Sequence, residues 1–105
     1  MTRTTTGKAG GMDPAAAEDI GVAALGFVAS DPALLPRFLA LSGIEASQVR
    51  QAAREPGFLA GVLHFVLAHE PTLAAFCAQH GADPLHVSAA ARALPFGDDR
   101  FDRST

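Results

Sequence analysis

The chain has 105 residues, a formal net charge of −3 and a single cysteine. That length suits one domain able to bury a core without metal or disulfides, and with no secretory signal ahead of the domain the lone Cys77 makes a reducing cytoplasm the expected setting. Residues 13–94 hold four arginines against eight carboxylates, a balance of −4, which argues against non-specific nucleic-acid binding because that needs a basic surface.

Residues 1–12 are Thr/Gly-rich and mildly basic. Nothing in them can pack, so they read as a disordered tail, with Met12 available as an alternative start. From Asp13 onward an acidic residue precedes proline five times: Asp13-Pro14, Asp31-Pro32, Glu55-Pro56, Glu70-Pro71 and Asp83-Pro84. A carboxylate at the N-cap accepts bonds from free backbone N–H groups and suits the positive helix end. Proline in the first helical position loses no hydrogen bond. Asp caps better than Glu, which makes Glu55 and Glu70 the weaker signals. Gly43 and Gly81 follow apolar runs and mark helix ends. Together these signals predict six helices, over 14–30, 32–42, 46–54, 56–68, 71–80 and 84–94. Pro36 cannot donate a bond to the Pro32 carbonyl, so the second helix should kink or start late. No segment alternates with the period of a strand. Residues 95–105 break helix and carry charge; Phe96 and Phe101 in this flexible tail either fold back onto the bundle or form a short docking motif.

Residues 58–69 organise the rest. Phe58, Leu59, Val62, Leu63, Phe65, Val66 and Leu67 lie on every side of a helical wheel. A helix apolar all round is buried in protein or in lipid. A membrane span needs about 20 such residues, so this stretch is expected to be the central core helix.

An internal repeat supports that centre. Leu25-x-Phe27-Val28, Asp31-Pro32-x-Leu34, Phe38, Gly43, Val49 and Ala53 match Leu63-x-Phe65-Val66, Glu70-Pro71-x-Leu73, Phe76, Gly81, Val87 and Ala91, at an offset of 38 that becomes 39 only across the acidic-Pro segment. The matched positions are caps, stops and large apolar residues. The expected fold is therefore an all-α, compact six-helix bundle over 13–94, built from two similar three-helix units, about 20–54 and 58–93, related by a pseudo-twofold axis.

The same layout, in Phe27-Val28-Ala29-Ser30-Asp31-Pro32, Arg37-Phe38-Leu39-Ala40-Leu41-Ser42-Gly43 and Pro56-Gly57-Phe58-Leu59-Ala60-Gly61-Val62-Leu63-His64-Phe65-Val66-Leu67, resembles a group of small alphaproteobacterial proteins known only as a domain of unknown function. The resemblance covers roughly residues 14–94. It implies a small bacterial helical protein and carries over no catalytic residue.

Chemistry-bearing residues are few. Five carboxylates precede prolines and Glu45 aligns with Asp83, leaving Glu18 and Asp19 in the first turns of a helix, where negative charge is favourable anyway. No pair suits acid–base work. Cys77, His80 and His86, with His69 as a fourth ligand, would make a zinc site. The repeat aligns Cys77 with Leu39 and His80 with Ser42, so Cys77 reads instead as a small core residue, buried and metal-free. His64 aligns with Gly26 and reads as a half-buried histidine bonded to a backbone carbonyl. No nucleotide loop is present, and no metal or cofactor is expected.

Two functions fit this pattern. The leading one is a small protein-interaction module, not an enzyme, acting through a partner or as a homodimer. Charged residues are 18% of the chain against about 25% in a typical soluble domain. The other helices have few bulky residues with which to cover the central one, so an exposed apolar surface including Phe58, Leu59 or Leu67 is expected. The alternative is a helix-turn-helix-like nucleic-acid binder, with Gly43 in the turn and Gln48, Arg50, Gln51 and Arg54 facing a groove. Leu39 stands where such motifs usually have a small residue, and the second copy keeps the spacing without the basic residues.

Overall fold

The computed structural model describes residues 12–95; apart from Met12 and Pro95, the two tails lie outside the described residues. The chain forms α1 (Pro14–Ala29), α2 (Leu34–Ser42), a 3-10 turn (Ala46–Gln48) running into α3 (Val49–Ala52), α4 (Phe58–Leu67), α5 (Glu70–His80) and α6 (Pro84–Ala93). Among the described residues there are six α-helices and no strand, in the expected order.

Asp13 and Asp83 cap α1 and α6 as anticipated, whereas Asp31 acts on the turn ahead of α2, whose N-cap is Ala33. Asp13 Oδ2 accepts from the Ala15 and Ala16 N–H groups at 3.1 and 3.3 Å. Asp31 Oδ1 accepts from Ala33 and Leu34 at 2.8 and 3.1 Å, and Asp83 Oδ1 from Leu85 at 2.9 Å. The two Glu-Pro signals cap no helix. Glu70 is already the first residue of α5, and the residue before it, His69, places Nδ1 2.7 Å from the Thr72 hydroxyl. Glu55 precedes α4 by three residues, and Gly57, at φ +91°, opens that helix. Such a φ is strained for any residue with a Cβ, so the entry into α4 is set by glycine rather than by a carboxylate. Pro36 behaves as expected: α2 starts late, at Leu34. Proline then occupies the first turn, where backbone N–H groups have no intrahelical acceptor.

The expected helix over 46–54 is much shorter. Glu45 and Gln48 form a capping box, with the Glu45 N–H donating to Gln48 Oε1 at 3.3 Å, and this tightens the first turn into 3-10 geometry. At the other end Pro56 disfavours helical backbone at Glu55. Four α-helical residues remain between these two constraints, and none is buried.

α4 is the central helix. It packs against α1, α5 and α6 and buries Phe58, Ala60, Val62, Leu63 and Val66. α1 contributes Ala17, Ala24 and Val28, and α6 contributes Val87, Ala90 and Ala91, followed by Leu94. The alanines matter for distance: a short side chain lets helix axes approach. Gly21 takes this furthest, since a Cβ there would lie 3.0 Å from Leu59 Cβ and 3.4 Å from Leu94 Cδ1. α2 and α5 cross the ends of this trio. The bend from α1 to α2 is 112°, and from α4 to α5 it is 109°. Phe27 meets Phe76 edge-on with centroids 5.4 Å apart, and Phe38 meets Phe65 at the same 5.4 Å. α6 buries Val87 and Ala91, whereas Val49 and Ala53, the positions aligned with them in the sequence, are only half-buried.

Candidate functional site

Of the residues expected on an exposed apolar surface, Leu59 and Leu67 are partly open and Phe58 is not. Phe58 is buried, its ring edge-on to Phe38 at 5.8 Å. Leu59 and Leu67 are half-buried and packed against the core. The reason for Leu59 is Gly21, which lets α1 close down on it. The large apolar residues that do stand out are Val22, Leu41 and Leu85, at 54, 74 and 78% exposure.

Leu41 borders an apolar groove. Phe38, Leu41, Ile44, Phe58, Gly61 and Phe65 line a cleft of about 490 Å³ between α2 and α4, with Ser42 and His64 contributing polar atoms and no charged residue in the wall. Its origin is local. Leu34, Phe38 and Leu41 are spaced i, i+4, i+7, one stripe of α2. The first two are buried and the third is open. Across the cleft α4 offers Gly57 and Gly61, and a Cβ built on Gly61 meets nothing within 4 Å. The stripe therefore runs past the core onto a face where the opposing helix has a gap at Gly61 between Phe58, His64 and Phe65. Arg37, one turn before Leu41, holds its guanidinium 5.9 Å from the Phe65 ring centroid, a weak cation–π contact at the groove edge. His64 is half-buried, as expected.

A second cleft, of about 480 Å³, has a corresponding wall. Its lining residues Ala23, Gly26, Phe27, Ser30, Gln79 and His80 lie 38 positions from Gly61, His64, Phe65, Ala68, Leu41 and Ser42 of the first. The chemistry of the two clefts differs. Where one cleft has Leu41 and Ser42, the other has Gln79 and His80, together with Asp31.

The remaining candidates do not converge. Cys77 is half-buried rather than buried, on the side of α5 that touches the core. Burial, and then the negative charge of Asp83, push its thiol above the ordinary value of 9.0, which favours the unreactive thiol form. His80 is exposed and lies against the Phe76 ring at 4.8 Å, His86 is exposed, and His69 is engaged with Thr72. Among the described residues no three His, Cys, Asp or Glu side chains stand together as metal ligands. Gln48, Arg50, Gln51 and Arg54 are all exposed, spread over the 3-10 turn, the single turn of α3 and the loop after it. Among the described residues no single helix is long and apolar enough to cross a membrane.

Leu41 was missed from sequence because its place on the α2 stripe argues for burial. The readable signal was the pairing of that stripe with Gly57 and Gly61, two positions without side chains on the most apolar helix of the chain.

The molecule is thus a small all-helical protein with an uncharged groove beside an exposed leucine. Residues 14–97 match a family described as "Protein of unknown function (DUF3572)", and the chain belongs to that family. No curated protein and no solved structure matches the chain.

Proposed function

We propose that this protein is a small helical interaction module that works by non-covalent contact through the α2–α4 groove. The observation that carries the reading is Leu41, 74% exposed at the lip of a cleft without a charged residue in its wall. Contiguous apolar surface favours contact with a partner, and Leu41 with the apolar hollow beside it forms one such area. The scarcity of paired acid–base groups favours binding over catalysis. A single cysteine suits a reducing cytoplasm, and the resemblance that covers the helical part of the chain suggests an alphaproteobacterial source.

The same reading takes the bundle as two similar units, 20–54 and 58–93, about a pseudo-twofold axis. Three features support it. The edge-to-face pairs are reciprocal: Phe27 with Phe76 in one direction, and their counterparts Phe65 with Phe38 in the other. The two helix bends differ by only a few degrees. The two clefts are lined by matching positions. Such reciprocity is what a twofold relation requires.

The test is affinity capture from the protein's own cell extract, with wild type, Leu41→Asp and the control Leu85→Asp compared side by side. Species bound through the groove should be lost with Leu41→Asp and kept with Leu85→Asp. If Leu41→Asp changes neither capture nor self-association, the reading falls. The weaker alternative, nucleic-acid binding through Gln48, Arg50, Gln51 and Arg54, is supported by the exposure of all four. The single turn of α3 is short for a recognition helix, and the acidic balance opposes it. Salt-dependent binding to duplex DNA would reverse that ranking.

A further inference from the structure

We propose that Phe96, the residue after the last described one, seats its ring in a third cleft, at the end of the bundle where α1 and α4 begin and α6 ends. The cleft has a volume of about 420 Å³. Its walls come from three segments: Pro14 and Ala15 open α1, Pro56 and Leu59 flank the entry into α4, and Leu94 and Pro95 follow α6. Pro14, Ala15, Pro56 and Pro95 are exposed and Leu59 is half-buried, so apolar surface on all three segments stays open to water. The proline rings fix the backbone that carries them, which gives the hollow a set shape. Glu18, Arg54 and Glu55 also line it. All three are exposed, so an uncharged ring can enter without stripping a charge of its water. Among the described residues this cleft shares only Gly57 with the α2–α4 groove.

The course of the chain identifies the occupant. Pro95 is itself part of the wall, and the chain turns there. The next Cα is only about 3.8 Å away across a trans peptide bond, so Phe96 reaches the hollow with almost no loop to close. A phenylalanine can remove about 150–250 Å² from water, and here it would cover Leu59 at the same time. The other tail starts as close, beside Pro14, but residues 1–11 hold no aromatic residue, and their one large apolar residue is Met1. Met12 is already packed against the core. Further along the C-terminal tail, Asp98, Asp99 and Arg100 stand between Phe96 and Phe101, so the second phenylalanine could reach the hollow only by drawing those charges over it. The family match ends at residue 97. The shared domain therefore takes in Phe96 and stops before that charged run.

The test uses the full chain, with circular dichroism to show that each variant is folded. The chain has no Trp and no Tyr, so a tryptophan placed at either tail phenylalanine is a sole reporter. Phe96→Trp should emit at shorter wavelength than Phe101→Trp and be better shielded from acrylamide, and urea should erase the difference. In wild type, nuclear Overhauser contacts should run from the Phe96 ring to the Leu59 and Leu94 methyl groups. Phe96→Ser should lower the melting temperature by roughly 4–8 °C, while Phe101→Ser leaves it unchanged. Equal emission and quenching in the two tryptophan variants would overturn the proposal, as would Phe96 ring contacts confined to residues outside this cleft. Shielding that disappears on dilution would overturn it as well, since the ring would then be entering a second copy. Leu41→Asp should alter none of these readings, so failure of the interaction reading of the α2–α4 groove leaves the seat of Phe96 standing.

Discussion

Asp31 and Glu70 precede prolines in equivalent places, yet only the aspartate holds the backbone N–H groups of the turn that leads into its helix. Its carboxylate takes two backbone N–H groups at 2.8 and 3.1 Å, while Glu70 enters α5 as its first residue. Asp31→Ala should therefore destabilise the protein by about 1 kcal/mol, and Asp83→Ala similarly, whereas Glu55→Ala and Glu70→Ala should stay within about 0.5 kcal/mol. Urea unfolding of the four variants checks this, and equal losses at Glu and Asp positions would contradict it. Cys77 gives a second prediction at this scale. Its thiol is raised in the folded state, first by burial and then by Asp83. A raised value means that the folded protein holds this proton more tightly than the unfolded chain. The stability this contributes is complete below the ordinary value of 9.0 and is lost as pH climbs through the folded value. Thiol labelling of the native protein near neutral pH should be slower than that of the unfolded chain. Stability measured from pH 7 upward should fall more for wild type than for Cys77→Ala; parallel curves would remove the argument.

At the scale of elements, glycines decide how the helices meet. Gly61 lies inside α4 with open space where a Cβ would go, so Gly61→Ala should stabilise by about 0.5–1 kcal/mol through helix propensity alone. Gly21 is also helical, but there a Cβ would sit 3.0 Å from Leu59 Cβ. Gly21→Val should lose about 1–3 kcal/mol as α1 is pushed off α4. Thermal melts of the pair should move in opposite directions, and a stabilised Gly21→Val would show that α1 and α4 are not in close contact. Neither distinction is visible from sequence, where both glycines merely interrupt apolar helices. Helix starts and stops, by contrast, were legible because the capping and stop residues act within four positions of themselves. The region 46–54 was not, because its length depends on a capping box at one end meeting a proline at the other.

For the molecule as a whole, stability should be of the order of 4–12 kcal/mol for a domain of this size. α4 is buried against three helices, and Leu63 is wholly inaccessible. Leu63→Ala should remove about 3–5 kcal/mol, a large part of the total, and leave a protein that is partly unfolded at physiological temperature. The phenylalanine pairs join the helices of residues 20–54 to those of residues 58–93. Unfolding should therefore be a single cooperative transition, with far-UV circular dichroism and a thiol probe at Cys77 following one curve. Two separated transitions would mean that the units are independent.

The Asp13 and Asp83 caps, the helix stops at Gly43 and Gly81, the late start forced by Pro36, the central place of the 58–69 stretch and the 38-residue offset were determined by the sequence alone, since each depends on neighbours in the chain or on the count of apolar residues. Which faces meet depends on distances between segments far apart in sequence. Tertiary structure buried Phe58 beneath Phe38, closed α1 over Leu59 through Gly21, and left Leu41 exposed opposite Gly57 and Gly61. An apolar stripe tells a helix which side to turn inward; only the helix across from it decides how much of that side is covered.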